Sequence, residues 1–347
     1  MEKYKEKTCS ALPNAYDSSS STFSDCNSDR SGEFSVSLSP SSCCLIGSAS
    51  ESPDDLIHQL VSSLHSTSID VQRQAALELR LLAKNKQENR LKIARAGAVR
   101  PLISLISSSD SQLQEYGVTA ILNLSLCDEN KELVTKLGAI KPLVKALRTG
   151  STTSKENSAC ALFRLSQIEE NKIRIGRSGA IPLLVNLLQN GSSRGKKDSS
   201  TALYSLCSMK ENKIRAIEAG IMKPLLDLMA DFESGMVDKA ASVLNILVSF
   251  KEGKEALVKE DGIPVLVEIV EVGSNRQKEI ATAILLQICE ENLVYCSIVA
   301  SEGAIPPLIS LLESGTSRAK EKAESLIGLL RQPRPNTARA SKVVNKP

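Results

Sequence analysis

The chain has 347 residues, of which 41% are hydrophobic but only 3% aromatic, and it contains no tryptophan. A core must then be built from Leu, Ile, Val and Ala, which suits packed helices and disfavours a β-sandwich. A net charge of +3, with a pI near 8.3, is too mild to imply a nucleic-acid partner, and no apolar run approaches the ~18 residues of a membrane span.

The chain opens on "MEKYKEKTCS", a charged stretch with no apolar segment behind it, so we expect no secretory signal and a cytoplasmic and/or nuclear location. The nine cysteines then read as free thiols, and Cys127, Cys160, Cys207 and Cys289 fall within helical patterns where small buried hydrophobes are expected. Residues 1–53 are rich in serine and too poor in apolar surface to order themselves, so they are expected to be a disordered tail whose serines are candidates for phosphorylation.

From residue 54 the pattern changes. "PDDLIHQLVSSLHS" and "SIDVQRQAALELRLLAK" read as two helices of an incomplete unit. Then a short element recurs: Gly97-Ala98-Val99-Arg100-Pro101, Gly138-Ala139-Ile140-Lys141-Pro142, Gly179-Ala180-Ile181-Pro182, Gly220-Ile221-Met222-Lys223-Pro224, Gly262-Ile263-Pro264 and Gly303-Ala304-Ile305-Pro306. Its glycines are 41, 41, 41, 42 and 41 residues apart. An Asn-centred signal keeps the same beat at Asn89, Asn130, Asn171 and Asn212 and decays at Gly253 and Asn292. A period of about 40–47 residues is that of HEAT and armadillo solenoids.

Within one unit, "DENKELVTKLGAIKPLVKAL" (128–147) reads as two helices. Asp128 is expected to cap the first, and Gly138 to end it in the left-handed conformation. Pro142 is tolerated in the first turn of the second helix, and Gly150 closes it. A third helix follows, with Ser158, Ala161, Leu162 and Leu165 forming one apolar stripe at i, i+3, i+4 and i+7. Gly117, Ala120, Ile121 and Leu124 repeat the stripe one unit earlier, and Ser199, Ala202, Leu203 and Leu206 one unit later. Three helices per ~41-residue unit favour armadillo over two-helix HEAT. The expected fold is an all-α, right-handed α-solenoid over residues 54–332, an incomplete first repeat plus six full ones. "SRAKEKAESLIGLLRQ" is its polar capping helix, and a disordered basic tail follows over 333–347.

Chemistry is sparse. The only histidines, His58 and His65, have no acid or thiol at metal-ligand spacing, and no phosphate loop or nucleophile elbow is present. We therefore expect no catalytic residues, no metal and no cofactor. A solenoid offers instead a concave surface lined by its third helices. Just before the last apolar residue of these helices lies a polar ladder, Arg80, Asn123, Arg164, Ser205, Asn245 and Gln287. About two turns earlier lie Tyr116, Asn157, Asp198 and Asp238. Amides and guanidinium groups in a row can pair with the backbone of an extended peptide, so these ten residues are the candidate partner-binding groove of a monomer.

"QEYGVTAILNLSLCDENK", "ENKIRIGRSGAIPLLVNLL" and "EGAIPPLISLLESGTSRAKEKAESLIGLLR" strongly resemble the armadillo repeats of plant U-box/armadillo proteins. That resemblance implies an array that binds substrates or partners, with ubiquitination machinery or signalling kinases among the proteins it meets. In that family a separate U-box recruits the ubiquitin-charged E2. No Cys-Pro-Ile-type U-box opening occurs here, so we expect a non-enzymatic interaction scaffold. The alternatives are a ligase component or substrate adaptor, and a nuclear transport receptor. Import receptors of the armadillo family rely on a Trp array, and this chain has Thr119, Cys160, Thr201, Ala241 and Ala283 four residues before the ladder. That argues against import.

Overall fold

A computed structural model describes residues 53–290 and 292–332; apart from Pro53, which opens the first helix, the two predicted tails lie outside the described residues. The incomplete first layer is α1 (Pro53–Ser63) and α2 (Ile69–Asn85). Six three-helix layers follow in chain order. They are α3 (Gln87–Arg95), α4 (Val99–Ile106) and α5 (Ser111–Leu124); α6 (Asp128–Lys136), α7 (Ile140–Thr149) and α8 (Thr152–Leu165); and α9 (Glu169–Arg177), α10 (Ala180–Asn190) and α11 (Ser193–Leu206). Then come α12 (Lys210–Glu218), α13 (Met222–Ala230) and α14 (Val237–Leu247); α15 (Lys251–Lys259), α16 (Gly262–Val272) and α17 (Asn275–Cys289); and α18 (Leu293–Ser301), α19 (Ile305–Ser314) and α20 (Ser317–Leu330). No strand occurs among the described residues. Third helices stack on their counterparts from α2 to α20 and second helices from α4 to α19, while first helices meet at α3–α6, α9–α12 and α12–α15, which makes an α-solenoid.

The stripes read from sequence form the seams of this stack. Leu124, Leu162, Leu165, Leu203 and Leu206 are fully buried, and one continuous apolar core runs from Ile57 to Ile327. No layer could bury its own faces alone, so each depends on its neighbours. Gly117 belongs to the same seam. A Cβ there would meet the Leu102 carbonyl oxygen at 3.0 Å and the Ile106 nitrogen at 3.1 Å, so the glycine lets α5 lie directly on α4.

The short recurring element turns the chain between first and second helices. Gly97, Gly138, Gly179, Gly220 and Gly303 all have φ between 77° and 88°, the left-handed geometry that ends a helix and starts the next at once. The fifth repeat departs from the expected register. There the left-handed residue is Asp261, at φ 57°, and Gly262 is the buried first residue of α16, where a Cβ would come within 2.2 Å of Leu257 Cδ1. Aspartate visits this region more readily than most side chains because its short polar group bonds locally.

Asp128 does not cap α6. The N-cap is Cys127, which has no side-chain cap, and Asp128 is the first helical residue. It pairs with Lys131 at 2.5 Å, and this bond holds its carboxyl below the usual carboxylate range.

The repeated asparagines are buried clasps. Asn130 Nδ2 donates to the Leu124 and Arg90 carbonyls at 3.2 and 3.1 Å. Asn212 Nδ2 donates to Leu206 and Lys172 at 3.0 and 2.9 Å. Asn171 Nδ2 donates to Leu165 at 3.0 Å and to Thr135 Oγ1 at 2.9 Å. Each clasp adds a second donor to a carbonyl at the end of a third helix, which also accepts a backbone N–H of the following turn, and reaches the first helix of the layer before. The clasp lapses at Gly253, where a Cβ would sit 1.8 Å from the Leu247 carbonyl oxygen, so there the backbone itself closes on that helix end.

Candidate functional site

The third helices α2, α5, α8, α11, α14, α17 and α20 form one wall of the solenoid, and the ten ladder residues all lie on the first six of them. Their burial splits them. Asn123, Asn157 and Asp198 are 1%, 1% and 6% exposed, so they sit in the wall beneath the surface. Asn123 Nδ2 donates to the Arg80 carbonyl at 3.1 Å, and Asn157 Nδ2 to Thr119 Oγ1 at 2.8 Å. Arg194 donates to Asn157 Oδ1 at 2.5 Å and stands 3.4 and 3.5 Å from Glu156 and Asp198, an ion-pair cluster within the wall.

Arg80, Tyr116, Arg164, Ser205, Asp238, Asn245 and Gln287 are half-buried and reach the surface. Several are already engaged across layers. The Arg80 guanidinium stacks 5.5 Å from the Tyr116 ring centroid, and Arg164 lies at the same distance from Phe163. Ser205 Oγ is 2.7 Å from Ser166 Oγ, Arg276 is 3.8 Å from Asp238, and Gln287 donates to Asn245 Oδ1 at 2.7 Å.

A second device fixes the helix starts along this wall. Asp110, Ser151, Ser192 and Thr316 are the N-caps of α5, α8, α11 and α20. Each is also gripped by a side chain from the third helix before it: Arg73 at 2.6 Å, Glu115 at 2.9 Å, Glu156 at 2.5 Å and Glu279 at 2.9 Å respectively. The Arg73 bond holds the Asp110 carboxyl below the ordinary carboxylate range.

The open part of the wall is its C-terminal half. A cavity of about 1110 Å³ crosses α11, α12, α14, α17 and α20. Asn245 and Gln287 are the ladder residues that line it. Sequence reasoning missed the rest of its chemistry: Lys213, Arg276, Arg318 and Lys322 with Glu279 and Glu321, over an apolar floor that includes Ile246, Ile280 and Leu286. A signal existed. Arg194, Arg276 and Arg318 each stand two residues after the N-cap of a third helix, a register the ladder does not sample. Burial lowers the Lys213 pKa from the ordinary lysine value. Among the described residues no cluster of histidine, cysteine and carboxylate has the arrangement to hold a metal, and His58 and His65 are exposed.

Stacked three-helix layers with an open polar groove define an armadillo-type array. The family described as the plant U-box protein ARM repeat region matches residues 54–345, and the chain belongs to it. Among curated relatives, U-box domain-containing protein 4 of Arabidopsis thaliana is 51% identical over 72 residues, 21% of this chain and 9% of that protein. E3 ubiquitin-protein ligase SPL11 of Oryza sativa subsp. japonica is 53% identical over 73 residues, 21% of this chain and 10% of that protein. The matched segments thus span about a tenth of these relatives' length. Among solved structures, an engineered protein superposes with TM-score 0.71 at 26% identity, covering 79% of this chain and 68% of that one. Computationally designed armadillo repeat proteins for modular peptide recognition superpose with TM-score 0.51 at 22% identity, covering 79% of this chain and 99% of theirs, a likeness of fold.

Proposed function

We propose that this chain is a non-enzymatic scaffold that holds an extended segment of a partner protein in its concave groove. The carrying observation is the open cavity of about 1110 Å³, walled by Asn245, Gln287 and cationic side chains over an apolar floor. Side-chain amides can bond both edges of an extended backbone, and the floor takes alternate side chains of the same segment. Membership of the plant U-box ARM repeat family supports a place in plant ubiquitination or signalling, as an adaptor working beside a separate ligase in the cytoplasm and/or nucleus.

Affinity capture with wild type and with an Asn245→Ala/Gln287→Ala double variant tests the groove. Both substituted residues are half-buried, so circular dichroism should be unchanged while partner recovery falls. Equal recovery by both proteins would move the binding surface elsewhere. An autoubiquitination assay with E1 and E2 tests the non-enzymatic reading: no ubiquitin conjugate is expected from this chain alone, and a conjugate would overturn it.

A further inference from the structure

The groove cavity has a sign. Of the six charged side chains on its lining, Lys213, Arg276, Arg318 and Lys322 are cations, and only Glu279 and Glu321 are anions. Internal pairing consumes these charges unequally. Lys322 lies 3.2 Å from Glu279, whose other oxygen accepts from Thr316, and Arg276 faces Asp238 at 3.8 Å. Arg318 is exposed and has no hydrogen-bond or ion-pair partner among the described residues.

Lys213 is the telling case. It rises from α12 at one edge of the cavity, partly buried, and no carboxylate lies within ion-pair distance of its ammonium among the described residues. Its neighbours are the Ser249 hydroxyl at 2.7 Å and the Phe250 ring, 5.7 Å from Nζ to centroid. A hydroxyl and a ring face replace only part of the hydration a buried ammonium has lost. That loss is what depresses its pKa. A groove wall that holds a desolvated cation without a counter-ion is complementary to a ligand that brings one. The floor between Lys213 and Arg318, formed by side chains such as Ile246, Ile280 and Leu286, calls for apolar residues between the ligand's charges.

We propose that the C-terminal half of the groove takes an acidic extended peptide, with Asp or Glu carboxylates separated by apolar residues, and that Lys213 pairs with one of those carboxylates. This rests on the reading of the groove as a peptide site and adds the charge and the residue that selects for it. The pairing gives specificity more than bulk affinity, because a lysine-bearing segment would place like charges together in a partly desolvated site.

Three fluorescein-labelled dodecapeptides of identical order test it by anisotropy: one alternating Glu with Leu and Ser, one with Lys for Glu, and one with Gln for Glu. The Glu peptide should bind at least ~10-fold tighter than the Lys peptide. Lys213→Gln should weaken the Glu peptide about fivefold while Lys213→Arg restores it, and exposed Arg318→Gln should weaken it less. Lys141→Gln, exposed on α7 and away from the cavity, should change nothing. If the Gln or Lys peptide binds as tightly as the Glu peptide and Asn245→Ala/Gln287→Ala weakens it, the groove reading stands and the acidic inference falls. If Lys141→Gln weakens the Glu peptide as much as Lys213→Gln does, the attraction is diffuse and the inference falls. If none of the three peptides binds, both readings fall.

Discussion

Asp261 shows how one backbone position is met by two chemistries. Five of the six layers supply glycine for the left-handed turn, and the fifth in chain order supplies an aspartate at φ 57°. A non-glycine residue in this region carries strain, partly relieved for Asp. Asp261→Gly should therefore raise stability by about 0.5–1 kcal/mol, less than the full strain because glycine also gains unfolded-state entropy. The opposite change, Gly138→Ala, should lower it by about 1–2 kcal/mol, since φ is 88° there and nothing crowds the added Cβ. Urea midpoints measured side by side check both signs. The glycine turns were legible because an unusual residue recurred at a fixed step. The Asp261 turn was not, because Gly262 next to it imitates the pattern while serving to fit α16 against Leu257. Thiols make a second residue-level test. Cys127, Cys160, Cys207, Cys289 and Cys296 are all buried, and burial pushes the Cys207 thiol up to about 12. The thiolate is the reactive form, so at pH 8 these five should resist Ellman's reagent in the native protein and react on unfolding. Rapid native reaction of Cys207 would show that its layer opens.

At the scale of elements, helix existence and order were readable because the apolar spacing is strong and each boundary carries Gly or Pro. What the spacing did not reveal was how layers are joined. Polar residues that repeat look alike in sequence whether they face solvent or bond a neighbouring layer. Asn123 and Asn157 were read as a surface ladder, yet they are buried and bonded to the preceding layer, while Asn130, Asn171 and Asn212 gave only a beat and are clasps. Asn171→Ala should cost about 1–2 kcal/mol, because it removes two buried hydrogen bonds, to the Leu165 carbonyl and to Thr135 Oγ1. Exposed Gln189→Ala, on α10 of the same layer, should stay within about 0.5 kcal/mol, and a comparable loss from both would remove the clasp argument. The N-cap grips behave likewise. Glu115→Ala should loosen the start of α8, seen as faster amide exchange over Ser151–Lys155, with the core of α8 unchanged.

For the whole molecule, stability in a solenoid is a sum of layer terms and neighbour interfaces, so the weakest junction decides how the array comes apart. That junction lies around α14. Its N-cap is Met236, which makes no side-chain cap, and a 3₁₀ turn at Phe232–Ser234 stands where the other third helices begin. Among the described residues no N-cap grip of the Glu115 or Glu156 kind is made between α11 and α14, because the position that carries those carboxylates in earlier layers is Lys197. The next first helix, α15, has Gly253 in place of the asparagine clasp. Across the following interface Arg276 faces Asp238 at 3.8 Å and Gln287 bonds Asn245, along the wall of the proposed groove. The same junction therefore combines a third helix without a side-chain N-cap with the open cavity. An interface that must admit a ligand segment cannot also fill its concave edge with its own bonds. Hydrogen exchange measured across a urea series should show α12–α15 losing protection first, with α5–α11 persisting to higher urea. The acidic dodecapeptide should raise the urea at which α12–α15 open, because a ligand that binds only the closed form stabilises it by mass action. Simultaneous loss of protection in all layers, unmoved by peptide, would show that α14 is not a seam and that the cavity is not coupled to the stacking of the array.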